Sequence, residues 1–196
     1  MSLAPAMFVH PHPDDESIAC GGLIAASVAD GRAVTVVTCT GGEVGENQSG
    51  IDLGGRSMGD VRRQEMAEAI VALGSPEHRW LGFWDSGMEM DDGKIVAPAH
   101  QHVDSFHGAD LDAAAGRLAQ MIRQARPALV VSDDESGTYG HPDHIKANQV
   151  TVRAVELAAD PQWGRGAPWR VARRAHHTLS QDRMIDGHNR MLEAGL

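Results

Sequence analysis

Two short stretches of this 196-residue chain cluster the His and Asp side chains that a metal site would use: His12-Pro13-Asp14-Asp15-Glu16 and Tyr139-Gly140-His141-Pro142-Asp143-His144. A hydrolytic zinc takes three protein ligands, usually imidazole nitrogen or carboxylate oxygen, and keeps a fourth position open for water. It lowers the pKa of that water and polarises the substrate carbonyl. A carboxylate beside the water must then take its proton. The two stretches hold enough His and Asp for all of these tasks. Proline after His12 and after His141 stiffens the backbone that would hold the ligands. Either stretch alone reads as a capped helix start; the two together point to a metal site.

The surrounding elements must bring these stretches together. Ala6-Met7-Phe8-Val9 is a short apolar run stopped by His10-Pro11, which predicts a buried strand. A helix should follow from the acidic Asp14-Asp15-Glu16 turn to about Ala29. The β-branched run Ala33 to Cys39 predicts a second strand, followed by a Gly-rich polar loop to Gly59. A helix is expected over 60–73, ended by Gly74, then a weak strand at Arg79–Gly82. Residues 84–109 show no period and read as one long loop, of the kind that is usually functional. A helix over 112–124, a strand at Ala128–Ser132, a loop from Asp133 to His144 and a helix from Ile145 to Ala159 come next. The tail predicts a strand at 175–179 and a helix at 183–193.

Alternating strands and helices with continuous apolar strands predict an α/β fold, Rossmann-like, with a mostly parallel sheet covered by helices on both faces. Ligands of such sheets bind beyond the carboxyl ends of the strands. The polar clusters at 12–16, 40–43 and 133–144 all follow strands, so all three should gather on one edge.

Composition bounds the partners. Lys+Arg 17 against Asp+Glu 27 gives a net charge of -10, which disfavours nucleic acid and anionic membrane. The chain has 11 His, a surplus that fits metal or proton chemistry. Cys20 and Cys39 lie in apolar stretches and read as reduced, buried thiols. The N-terminus lacks a basic region followed by a long apolar run, and no run reaches the length of a membrane span. The expected location is the cytoplasm.

The matching pieces His12-Pro13-Asp14-Asp15-Glu16, Thr40-Gly41-Gly42-Glu43, Arg62-Arg63-Gln64-Glu65 before Ala72-Leu73-Gly74, and His141-Pro142-Asp143-His144 resemble the PIG-L/LmbE-like zinc-dependent N-deacetylases over residues 6 to about 159. Trp84-Asp85-Ser86-Gly87-Met88 and Gly137-Thr138-Tyr139-Gly140-His141 are similar to the mycothiol branch of that family, its GlcNAc-inositol deacetylases and S-conjugate amidases. The resemblance implies that His12, Asp15 and His144 bind Zn2+, a donor set that Fe2+ would also suit. It implies that Asp14 is the general base, that His141 and Tyr139 polarise the carbonyl and hold the oxyanion, and that Asp143 orients a histidine. It further implies that Arg62 and Asp85 contact sugar or inositol hydroxyls, with Glu43 contacting substrate or shaping the rim.

The implied reaction is removal of an N-acetyl group from an N-acetylglucosaminyl conjugate of GlcNAc-inositol type, by water activated at the metal. The implied organisation is one domain over 1–196 without the C-terminal extension of longer relatives. The partner is a small amino sugar; a homo-oligomer whose second subunit completes the cavity is compatible with this. Two other readings stay open: an amidase acting on mycothiol S-conjugates, and a non-catalytic sugar or metal sensor, against which the intact Asp14 speaks. Nucleotide binding is weaker, because Gly41-Gly42-Glu43-Val44-Gly45 lacks the dinucleotide spacing and Glu43 would repel phosphate. Of the other residues, His10 reads as structural, His100, His102 and His107 as a solvated or substrate-facing loop, and Asp133-Asp134-Glu135 as either a histidine-orienting group or an acidic turn. At most one of His176 and His177 should approach the site.

Overall fold

Every strand of the main sheet is parallel to its neighbours, so all five point their carboxyl ends toward the same edge. The computed structural model describes residues 3–47, 50, 52–178 and 180–195. In chain order the elements are β1 (Ala6–His10), α1 (Asp15–Ala29), β2 (Val34–Thr40), α2 (Met58–Ala72), β3 (Glu77–Phe83), β4 (Glu89–Asp91) and β5 (Lys94–Val96). They continue with α3 (Leu111–Ala125), β6 (Leu129–Asp133), the short turn α4 (Gly137–Gly140), α5 (Pro142–Ala159), β7 (Arg173–His177) and α6 (Gln181–Glu193). The sheet order is β3-β2-β1-β6-β7, the α/β architecture expected.

Alternation along β1 divides the core, because successive strand side chains point to opposite faces. Met7 and Val9 face α3 and α5 and pack with Leu118, Ile122, Val150 and Phe106. Ala6 and Phe8 face the other way, against Cys20 and Ile24 of α1 and Met66 of α2. Cys20 and Cys39 are free and buried, as expected. Both faces are therefore covered, and the open side of the sheet is its carboxyl edge. The order reverses between β1 and β6, where the loops after the two strands diverge and leave a crevice.

Three expectations need correction. Residues 84–109 are not one irregular loop: β4 and β5 form an antiparallel hairpin within them. Its turn, Asp92-Gly93, has φ of 46° and 74°, the paired positive values that an Asp-Gly turn supplies. The rest of the segment is tied down by Phe106, whose ring is fully buried and whose N–H donates to Trp84 O. The helix expected from Ile145 starts at Pro142, because proline suits the first helical position and His141 Nδ1 caps it by accepting from Asp143 N at 3.1 Å. Asp143 and His144 thus ride on the first turn of a helix and not in a loop. The tail strand runs over Arg173–His177, and Leu179 lies outside the described residues, as do 48, 49 and 51 of the loop before α2.

Candidate active site

The loop after β1 is built around two carboxylates that grip its backbone. Asp15 Oδ2 accepts from His12 N at 3.0 Å, and the fully buried Glu16 accepts from Asp14 N at 3.1 Å. Between them Asp14 is held at φ 124°, a conformation that non-glycine residues avoid. Such a residue costs about 1–3 kcal/mol and persists only where its surroundings impose it.

His12 and His144 are arranged alike. His12 Nδ1 lies 3.4 Å from Asp15 Oδ2, while its Nε2 faces Asp143 Oδ2 at 3.3 Å. His144 Nε2 lies 3.6 Å from the same Asp15 oxygen, while its Nδ1 lies 2.6 Å from Asp133 Oδ1. An ionised carboxylate can only accept, so Nε2 of His12 and Nδ1 of His144 carry the protons. The other nitrogens of the two rings, His12 Nδ1 and His144 Nε2, both face Asp15 Oδ2. Neighbouring donors around a tetrahedral zinc lie about 3.3–3.5 Å apart, given bonds of about 2.0–2.2 Å. The donor set and its spacing fit a divalent ion.

His141 also approaches: its ring centroid is 4.8 Å from that of His12, and His12, His141 and His144 can offer nitrogens within 4.8 Å of one another. Its Nδ1 is occupied by Asp143 N, which leaves Nε2 as a donor toward the cavity. Asp15 Oδ2 faces both imidazoles, at 3.4 Å from His12 Nδ1 and 3.6 Å from His144 Nε2, and would bring negative charge to an ion held there.

The electrostatics follow from burial and carboxylate crowding. Burial lowers the His12 pKa, but contacts with Asp143, Asp15 and Asp85 outweigh it and hold it well above 6.5. Burial raises the Asp15 carboxyl, yet the His12 contact prevails and brings it down to about 2. Asp14 differs. Burial and the Asp15 charge raise it to about 6, while Arg62 pulls it the other way. The His141 pKa falls to about 4 through burial and the neighbouring His12.

A cavity of about 730 Å³ opens onto this group, with Asp14, Asp15, Arg62, Asp85, Tyr139 and His141 among its walls. Arg62 Nη2 donates to Asp14 Oδ2 at 2.8 Å. Gly42, at φ 66°, lies so close to the Arg62 side chain that a Cβ there would fall 2.3 Å from Nη1. Tyr139 is half-exposed, with its hydroxyl 3.5 Å from His144 Nε2. Asp85 faces His12 Nε2 at 3.5 Å and accepts from Gly87 N at 2.9 Å. Asp143, fully buried, lies against His12 and accepts from Ser86 N at 3.0 Å; its one bond with His141 runs through its backbone N–H.

Glu43 is not brought to the cavity. Its carboxylate turns inward and accepts from Gly41 N at 3.1 Å, Asp85 N at 3.0 Å and Arg63 Nη2 at 3.0 Å. It ties the loops after β2 and β3 together. His100, His102 and His107 are also absent from the walls; His102 stacks on Trp84 with centroids 4.4 Å apart.

The residue that sequence reasoning left open is Asp133. It is fully buried, accepts from Thr138 Oγ1 at 2.8 Å, and orients His144. Its position at the carboxyl end of β6, beside the crevice, was the available signal.

The PIG-L family, described as GlcNAc-PI de-N-acetylase, matches residues 7–155. The chain belongs to the PIG-L family. Among curated PIG-L-type relatives, a 1D-myo-inositol 2-acetamido-2-deoxy-alpha-D-glucopyranoside deacetylase of Thermobispora bispora is 49% identical over 177 residues, covering 88% of this chain and 58% of the relative. The chain thus spans somewhat over half the length of that relative. A conserved protein of Thermus thermophilus is 29% identical with a TM-score of 0.67, over 91% of this chain and 68% of that one. The N,N'-diacetylchitobiose deacetylase of Pyrococcus horikoshii shares the fold at a TM-score of 0.69 and 20% identity, over 95% of this chain and 67% of that one.

Proposed function

We propose that this PIG-L chain is a zinc-dependent N-deacetylase that removes the acetyl group from an N-acetylglucosaminyl conjugate of GlcNAc-inositol type. One observation carries the reading. Two imidazoles each turn one nitrogen to the same Asp15 oxygen, and each is held from behind by a buried carboxylate, next to Asp14. Carboxylates behind metal-bound histidines fix tautomer and orientation. The deacetylase relative that is 49% identical supports the substrate class.

His12, Asp15 and His144 would hold the zinc, which supplies a Lewis acid and an acidified water. Fe2+ suits the same donors. Asp14 takes the proton of the attacking water; its raised pKa, about 6, suits a group that must both accept and return a proton. His141 Nε2–H and the Tyr139 hydroxyl donate to the oxyanion as the amide carbon becomes tetrahedral. Arg62 and Asp85 meet hydroxyls of the sugar or inositol. Glu43 serves the reaction through the loops it ties, and Asp143 through the orientation of His12. Collapse of the tetrahedral centre breaks the C–N bond and yields acetate and a free amine, which takes the proton that Asp14 removed from water. The proposal includes a single catalytic domain and a cytoplasmic setting, in keeping with the free Cys20 and Cys39. Among the described residues no helix is long and apolar enough to cross a membrane.

Acetate and amine release from a panel of N-acetylglucosaminides, with metal-free and zinc-restored protein, tests this. Zinc-dependent release from GlcNAc-inositol is expected. Cleavage confined to a bimane conjugate of mycothiol would replace the substrate, and hydrolysis of nothing in the panel would leave a sensor.

A further inference from the structure

Beside the first cluster, the ends of β1, β6 and β7 bring together His10, Asp133 and His177, which can offer ligand atoms within 4.8 Å of one another. His10 and Asp133 are fully buried, and the His177 side chain is 11% exposed. Both ring nitrogens of His10, Asp133 Oδ2 and His177 Nε2 have no hydrogen-bond partner among the described residues. Buried polar groups are nearly always bonded, so one His10 nitrogen, Asp133 Oδ2 and His177 Nε2 meeting in one place point to a guest that takes one atom from each residue.

We propose that His10, Asp133 and His177 hold a second divalent transition-metal ion. Two imidazoles and a carboxylate suit zinc or iron. His177 Nε2 lies 3.4 Å from Asp133 Oδ2, the separation of adjacent donors on a tetrahedral ion. The rings of His10 and His177 have centroids 5.3 Å apart, close to the 5.4 Å between His12 and His144 in the first cluster. Two imidazoles sharing one tetrahedral ion place their centroids about 5 Å apart. Asp133 can serve both clusters, because Oδ1 is taken by His144 and Thr138 while Oδ2 is left for the second ion. His177 also lines the large cavity, which supplies an entry path and a fourth ligand from solvent. Sharing Asp133 makes the two ions thermodynamically coupled, so occupation of one site alters affinity at the other.

The test counts metal. The chelator-treated 196-residue chain is loaded with Co2+, freed of excess by gel filtration, and assayed by elemental mass spectrometry and visible absorption. Two equivalents per wild-type chain are expected, and one in His177→Asn, with His10→Gln as a second variant and circular dichroism as the check of folding. Asp15→Asn should lose the first ion and retain a cobalt band from the second. No cobalt band in folded Asp15→Asn, or two equivalents in a folded His177→Asn, overturns the proposal; the first result would mean that water or an imidazolium–carboxylate pair satisfies these atoms. The count is independent of hydrolysis, so it stands or falls apart from the deacetylase reading.

Discussion

His144 Nδ1 lies 2.6 Å from Asp133 Oδ1, a fully buried contact between the first turn of α5 and the end of β6. It leaves the other nitrogen of His144 facing Asp15. Asp133→Asn preserves shape but removes the charge and can present an amide N–H to the ring. Zinc affinity should fall roughly 10–100-fold, the usual cost of losing such a partner, as read by competition with a chromogenic chelator.

Asp14 contributes chemistry and no metal ligand in this scheme. Asp14→Asn should therefore retain bound zinc and fold, and lose roughly 10²–10⁴ in kcat for acetate release. Metal content and rate measured on the same sample separate the two effects. Loss of zinc in this variant would move Asp14 into the ligand set.

Arg62 opposes the burial and the Asp15 charge that raise the Asp14 pKa. Removing the guanidinium in Arg62→Ala should raise that pKa further. The base works when deprotonated, so the acid limb of kcat/KM should move to higher pH. An unshifted limb with a higher KM would make Arg62 a substrate contact alone.

Metal removal should abolish hydrolysis and lower the melting temperature, since an ion bound only by the folded state adds stability as RT ln(1+[L]/Kd). Zinc should restore both. Differential scanning calorimetry with and without chelator measures the stability arm. Equal melting temperatures at saturating zinc would rule out a tightly bound ion.

Gly137 sits at φ +66°, and a Cβ there would lie 2.7 Å from both the backbone N and Cγ1 of Ile145. Gly137→Ala should destabilise the fold by about 1–3 kcal/mol in urea denaturation, through strained backbone and the clash. It should also impair turnover, because the same turn carries Tyr139.

The sheet was legible because its strands are unbroken apolar or β-branched runs, Ala6–Val9 and Val34–Cys39 among them, as suits a sheet buried on both faces. The pairing of the 12–16 and 141–144 stretches was legible too, because both follow strands whose carboxyl ends must share an edge. The β4–β5 hairpin was missed although Asp92-Gly93 marks its turn: its strands are three residues each and mostly exposed, and they show no alternation. The early start of α5 was signalled by Pro142 but obscured by the polar residues around it.

Asp133 and His177 were left open for a different reason. Their roles rest on contacts with His144 and His10, which the chain brings together only through the β1–β6–β7 pairing. A carboxylate at a strand end has no local signature that distinguishes an orienting group from an acidic turn. Glu43 is a case where contacts choose between two open readings. The resemblance left it as a substrate contact or a group shaping the rim, and two backbone N–H groups and Arg63 draw it inward, where it ties the loops after β2 and β3.

Asp14 keeps a backbone angle that a glycine would adopt without cost. A library of this chain screened for heat resistance alone should therefore enrich Asp14→Gly, and its winners would be durable, inert proteins. Directed evolution of this scaffold has to score turnover in every round, because at this position robustness and reactivity pull in opposite directions.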